Sequence, residues 1–347
     1  MEPQRVRAPS IRDVARLAGV SYQTVSRVLN HSPALRAETR QRVLEVIDQI
    51  GYRPNQAARA LVTSRSRTIG VLSSQTAHYG SATGLYALAE AAREAGYLVI
   101  TTSIATSDYE SIRDRLDYLM SQSVEALIVI APQVRVYDAI EELEIRVPLV
   151  MLGSTGRDEQ GVSVDQVAGA RLATGHLIGL GHRRILHLAG PLDWIEAEER
   201  MRGYLGEMAR ANLVARPPIP GDWTAEFGHH VGRELLLGSD FSAVFAANDQ
   251  MALGLMHALR EGGLDVPRDI SIVGFDDIPE AAHYWPPLTT VRQDFAEVAR
   301  RSLALLVAEL GGIPTPSREH IEPVLVVRES TGRPAAAARA TGSTVGA

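Results

Sequence analysis

The sequence predicts an α/β protein in which a three-helix N-terminal bundle precedes two doubly wound lobes. Residues 10–51 hold three short runs of helical periodicity, punctuated by Gly19 and Gly51. From Thr68 onward, apolar strand-like runs alternate with amphipathic stretches, and after Asp165 that alternation runs a second time. The 347 residues suit a small module joined to a two-part domain.

Ser10 with Asp13 forms a capping box. It opens a first helix in which Ile11, Val14, Ala15 and Ala18 follow the i, i+3, i+4, i+7 spacing. Ser21 can cap a second helix through Leu29, with Val25, Val28 and Leu29 inward and Tyr22, Gln23, Ser26 and Arg27 outward. A third, Ala37 to Ile50, turns Val43, Val46, Ile47 and Ile50 inward and stops at Gly51. Two helices joined across Gly19-Val20 with a third behind them describe a helix-turn-helix headpiece over residues 8–53. Residues 54–67 are polar and arginine-rich, with Pro54 breaking the chain before NQAARALVT, and read as a linker. In residues 68–332 the runs TIGVLSS, YLVITTS, ALIVI and PLVML, then RILHLAG, AVFAAN and ISIVGF, alternate with helical stretches; this is βαβ alternation and implies parallel sheets. The tail 333–347 has no large apolar residue beyond Val345, and disorder is expected there.

Composition narrows the function. No window approaches the roughly 18 apolar residues of a membrane span, and MEPQRVRAPS lacks an apolar signal-peptide core, so a cytoplasmic location is expected. The absence of cysteine excludes disulfides and thiolate metal sites. Residues 1–65 hold 11 Arg against 5 Asp and Glu, a surplus of +6 on a chain of net charge −6, which leaves −12 for the rest. A basic head on an acidic body is attracted to phosphate backbones through the head alone. All of the positive charge is arginine, a usage that genomic base composition explains as readily as recognition chemistry.

The residues GVSYQTVSRVLN, preceded by IRDVARLA and followed by TRQRV and GYRPN, closely resemble the headpiece of the lactose repressor family, the LacI/GalR-type transcription regulators. The resemblance continues through HLIGLGHRRILHLAGP, VFAANDQMALGLMHALREGGLDVPRDISIVGFDDIP and PPLTTVRQDF, and so covers nearly everything from Ser10 to about Ser330. It implies a periplasmic-binding-protein-like sensor domain whose chain returns to the first lobe after about Arg292, which periodicity alone does not show. It further implies a repressor that binds operator double-stranded DNA as a homodimer and is released by a small-molecule effector, a sugar, with no cofactor, no metal and no enzymatic step. The tail lacks spaced leucines, so a dimer is expected rather than a tetramer.

Tyr22, Gln23 and Arg27 lie where such a motif presents side chains to the major groove. A glutamine amide can pair with adenine and an arginine with guanine, each good pair contributing about 1–3 kcal/mol of discrimination. Ser21, Thr24, Ser26 and Asn30 suit phosphate contacts and capping, which set register. The resemblance makes Leu61 a minor-groove wedge on a hinge helix, with Ala58 among the small residues that let two such helices approach.

The same resemblance places Arg200, Trp223, Asn248, Asp276, Gln293 and Phe295 around a cleft between the lobes, with His78 and Glu196 on its rim. A carboxylate can accept from vicinal hydroxyls, Arg and Asn can donate to oxygens, and aromatic rings can cover a pyranose face. The first-lobe side departs from the family's lactose-binding pattern. Ile130 and Gly153 replace polar residues, Glu196 replaces a small hydroxyl residue, and His78, Gly80 and Ser81 replace an apolar cluster. The space so opened, with Asp193 and Trp194 beside Glu196, points to a disaccharide or oligosaccharide. A purine or nucleoside effector stays open, because relatives sensing these also carry an arginine and an aspartate at the positions of Arg200 and Asp276. A corepressor sign stays open too.

Enzyme classes fare poorly. There is no Gly-rich phosphate loop or nucleophile elbow, and the adjacent Asp276 and Asp277 need not converge on one bond as a glycosidase pair must. His182, His187, His229 and His230 read as surface or loop histidines, since no carboxylate or second pair completes a metal spacing.

Overall fold

The computed structural model describes residues 9–29, 35–53, 60, 65–74, 78–104, 108–153, 161–235, 241–315 and 320–334, and divides the chain into two units, Met1–Ser66 and Arg67–Ala347. Asn30, Ala58 and Leu61, most of the 54–67 segment and the tail from residue 335 lie outside the described residues.

In the first unit, α1 (Ile11–Leu17), α2 (Tyr22–Leu29) and α3 (Ala37–Ile50) pack Val14, Ala15, Ala18, Val25, Val28, Val43, Val46 and Tyr52 into one small core. The capping box at Ser10 is formed, with the Asp13 amide donating to Ser10 Oγ at 3.3 Å and the Ser10 amide donating to Asp13 Oδ2 at 2.9 Å. Gly19 at φ 63° makes the turn between α1 and α2, and Gly51 at φ 62° ends α3.

The second unit holds two sheets. The first runs β2 (Leu98–Ser103), β1 (Thr68–Ser73), β3 (Ala126–Ile130), β4 (Leu149–Leu152), β5 (Gly161–Val162), all parallel. Around it lie α4 (Tyr79–Glu94), α5 (Tyr109–Ser121) and α6 (Val134–Glu142). The second runs β10 (Val324–Val326), β9 (Thr289–Arg292), β8 (Ser271–Asp276), β7 (Ala243–Ala246), β6 (Ile185–Leu188), with only β10 antiparallel. Its helices are α7 (Gln166–Gly179), α8 (Ile195–Arg210), α9 (Ala225–Leu235) and α10 (Asp249–Glu261). A parallel bridge from Ile219 to Leu188 continues this sheet past β6, so the two lobes share one plan. Central strands are apolar throughout, as burial on both faces requires, and each sheet has a separate core on either side.

The chain crosses between lobes three times. After β5 it enters the second lobe at Asp165, which caps α7. After β9 it returns, as the resemblance implied, and α11 (Phe295–Gly311) buries Val298, Leu303, Leu305 and Leu306 against the first sheet. A last crossing, which the sequence did not reveal, carries residues 320–323 to β10. It is tied to the first crossing by the Asp165 amide donating to Ile321 O (2.9 Å) and the Ile321 amide donating to Ser163 O (3.0 Å). β10 is three residues of a half-exposed edge, too short for a periodic signal.

Candidate functional site

The headpiece presents a polar face at the start of α2. Val25 and Val28 anchor the helix, which leaves Tyr22, Gln23 and Arg27 exposed. Ser21 caps the helix, with the Thr24 amide donating to Ser21 Oγ at 3.1 Å and the two hydroxyls 2.9 Å apart. Ser26 is half-buried beside them. α2 has no acidic residue in its first turn and Arg27 in its last, so nothing on it repels a phosphate.

In the second unit, the C-terminal ends of the strands face one cavity, where ligands of parallel sheets bind. His78, Glu196, Arg200, Trp223, Asn248, Asp276, Gln293 and Phe295 all line it, with Tyr79, Gly80, Ser81, Ile130, Leu152, Gly153, Val164, Gln166, Trp194 and Val298 among the other walls. Asp276 ends β8, Asn248 follows β7, Gln293 follows β9, and His78, Glu196 and Phe295 sit at the starts of α4, α8 and α11. Asp193 is not among the lining residues; its carbonyl accepts from the Val134 amide at 2.9 Å.

A buried ring of polar side chains forms the floor. Arg200 Nε donates to Gln166 Oε1 (2.9 Å), Gln166 Nε2 to Gln293 Oε1 (2.7 Å), and Gln293 Nε2 to Asp276 Oδ1 (2.7 Å), while Arg200 Nη2 stands 3.7 Å from that same oxygen. The guanidinium also donates to Ala247 O and lies 3.9 Å from the centroid of Phe275. Gln293 lies in the crossover after β9 and Gln166 opens α7 directly after the crossover from β5, so the floor adjoins the segments that join the lobes. Gln166 was missed from sequence because it is one residue into a helix whose cap, Asp165, drew the reading.

Burial pushes the Asp276 carboxyl up to about 6 despite Arg200 and the Gln293 bond. It pushes Glu196 up to about 7, again against Arg200 and with the Asp276 charge adding to the rise. Glu196 is only partly buried by area, yet protein encloses it within the cavity wall. Burial lowers His78, which therefore stands neutral at pH 7.

Backbone strain gathers here. Trp223 (φ 71°), Asp276 (φ 106°) and Asp277 (φ 54°) are three of the six non-glycine residues at positive φ among the described residues, a conformation costing about 1–3 kcal/mol each. Trp223 is locked by Gly190, where a Cβ would collide with the indole, and meets Trp194 edge-on at 5.5 Å. Its buried Nε1 has no hydrogen-bond partner, although a buried indole N–H ordinarily finds one.

The cavity encloses about 50 Å3, well below the roughly 300–1,000 Å3 of sites for drug-sized ligands. The two lobes also pair directly: the Val134 amide donates to Asp193 O, the Ile195 amide donates to Pro132 O at 2.9 Å, and Gln133 bridges Trp194.

Several expectations need refinement or correction. Asn248 is spoken for, since its Oδ1 accepts from the Met251 amide and its Nδ2 donates to Trp223 O, both at 2.9 Å; it positions Trp223 with one N–H left over. Asp277 is a structural ion-pair partner, 2.6 Å from both Arg292 and Arg328. Asp249, unremarked in the sequence, is fully buried, accepts from Thr290 Oγ1 (2.6 Å) and the Ile278 amide (2.9 Å), and is raised well above the carboxylate range by burial. His182 and His187 are core residues, not surface ones. His182 bonds Ser242, Ser271 and Gly332, and His187 stacks on Phe245 with burial lowering it to about 4. The reading that no carboxylate accompanies His229 is overturned: Glu261 lies 2.8 Å away and His257 beside it, brought there by helix packing across 32 residues of sequence.

A helix-turn-helix reading head joined to a domain that can close over a small molecule defines a ligand-responsive DNA-binding regulator. The chain belongs to the lacI family of bacterial regulatory proteins, whose model matches residues 10–55, while a periplasmic binding protein-like domain matches residues 174–331. It is 34% identical over 328 residues to the lactose operon repressor of Escherichia coli strain K12, covering 94% of this chain and 91% of that protein. Among solved structures it resembles the lac repressor dimer bound to operator and the anti-inducer ONPF (TM-score 0.84, 33% identity, 94% of this chain and 100% of that one). It also resembles a complex of the transcriptional regulator CelR with cellobiose (TM-score 0.70, 32% identity, 93% and 99%).

Proposed function

We propose that this transcription regulator is a homodimeric repressor that leaves a palindromic operator when a sugar, of disaccharide size or larger, binds between its lobes. The observation that carries the reading is the ring Arg200–Gln166–Gln293–Asp276, in a cavity also lined by Trp223, whose buried Nε1 has no partner. The ring joins donors and acceptors suited to hydroxyls to the segments that cross between the lobes. The lactose operon repressor and the CelR–cellobiose complex support a saccharide, and Glu196, reaching across to Gly153 of the first lobe, adds polarity to that wall of the cavity. Residues 8–53 read DNA through Tyr22, Gln23 and Arg27, with Ser21, Thr24, Ser26 and Asn30 setting register and Ala58 and Leu61 acting in the 54–67 hinge. Residues 68–332 sense and dimerise. No catalytic step is assigned, because the carboxylate beside Asp276 is held by two arginines. A protein working on operators works in the cytoplasm, and no helix among the described residues is long and apolar enough to cross a membrane.

Effector and operator bind antagonistically, so each weakens the other by the same factor. The test is selection of duplexes from a random pool by purified protein, alone, with mono- and disaccharides, and with a purine panel. A palindrome enriched without ligand and lost with a disaccharide is expected. No palindrome under any condition overturns the repressor reading, and loss or gain only with purines overturns the sugar.

A further inference from the structure

On the outer face of the second lobe, away from the cavity walls, α9 and α10 pack so closely that a Cβ on Gly228 or Gly254 would run into the backbone of the other helix. This approach delivers His229 of α9 to a pair on α10, His257 and Glu261, which share one face at i, i+4 spacing. His229 Nε2 is 2.8 Å from Glu261 Oε2, His257 Nε2 is 3.5 Å from Glu261 Oε1, and the ligating atoms all lie within 4.8 Å of one another.

We infer that His229, His257 and Glu261 form a binding site for a divalent transition-metal ion of the zinc class. Metal–nitrogen and metal–oxygen bonds of about 2.0–2.2 Å in a tetrahedron place ligand atoms about 3.3 Å apart, and the observed separations bracket that spacing. Two imidazoles and a carboxylate are the donor set of borderline ions such as zinc, cobalt and nickel, while magnesium and calcium prefer all-oxygen sites. Three protein ligands leave a fourth position for water or another donor. His257 and Glu261 are exposed and His229 is half-buried, so an ion reaches the site without unfolding. Arg233 is the nearby cation whose charge also reaches Glu261, so the two imidazole lone pairs rather than bulk negative charge must supply the affinity. A bound ion ties α9, which follows Trp223, to α10, which starts beside Asn248, and so stabilises the second lobe.

The test uses full-length protein without a polyhistidine tag, titrated with Co(II) and then displaced by Zn(II). Saturable binding of one ion per chain with visible d–d bands is expected, and Zn(II) raises the melting temperature. Glu261→Gln and His257→Ala weaken binding by at least about tenfold and abolish the Zn(II)-dependent rise, whereas His230→Ala, on the neighbouring exposed position, changes neither. Folding of each variant is checked by its melting temperature without metal. No saturable binding, or equal binding by wild type and both ligand variants, reduces the cluster to a surface hydrogen-bonded pair and overturns the site.

Discussion

The two lobes are built on one sheet plan, yet they present different chemistry to the cavity. The first-lobe strand ends contribute Ile130, Leu152, Gly153 and Val164, and α11 adds Val298; only the start of α4 brings polar groups. The second lobe and the crossovers contribute Arg200, Gln166, Asn248, Asp276 and Gln293, nearly all hydrogen-bonded to one another. Hydrogen bonds are directional and apolar contacts are not. On the proposed function, the second lobe fixes which ligand groups are recognised and in what orientation, while the first lobe sets how much space remains over them.

The largest expected effect follows from breaking the polar half. Arg200 is 3% exposed and is the cation beside Asp276, itself 8% exposed. Arg200→Met leaves that carboxylate and the Gln166 amide without their partner, and removing one member of a buried pair costs about 3–5 kcal/mol. Chemical denaturation should show this loss, and operator release should no longer respond to effector. A variant as stable as wild type and fully inducible would show that the ring is not what the second lobe contributes.

The contrast sharpens with pH. Glu196 is raised from 4.5 to about 7 and Asp276 from 3.8 to about 6, so the folded chain retains protons that the unfolded chain has released. The stability associated with those protons is complete below the unfolded values and is lost as pH rises through about 6 and then 7. His187, lowered to about 4, acts in the opposite sense, which makes the difference between wild type and Glu196→Gln the quantity to measure. Relative to the variant, wild type should lose melting temperature between about pH 4.5 and 7, with the steepest change midway between those values and a plateau above about 7. Parallel profiles across that window would place Glu196 in ordinary contact with water.

Much of this was legible in the sequence, for identifiable reasons. The headpiece helices carry their own stop and start signals in Ser10, Gly19, Ser21 and Gly51, and the central strands are apolar on both faces. The cavity residues were nameable because motif-bearing segments end strands, and the eight residues named from resemblance line one space. What escaped depends on long-range packing. Gln166 meets Gln293 across 127 residues, and Asp249 meets Thr290 across 41. His229 finds Glu261 only because Gly228 and Gly254 let two helices close. The pairing of 132–134 with 193–195 is likewise invisible in local pattern.

The smallest effect tests the polar half at a single atom. Trp223 Nε1 is buried without a partner, so Trp223→Phe removes a donor that the folded chain does not itself use. A typical hydrogen bond contributes about 0.5–1.5 kcal/mol, so effector affinity should fall between about twofold and tenfold. Melting temperature without effector should change little, because Phe keeps much of the ring that packs against Gly190 and Trp194. If both fall together, the indole is structural. If only affinity falls, the donor meets the ligand, and Ile130→Val on the opposite wall should then alter the preference among effectors of different size while leaving the response to the best of them in place.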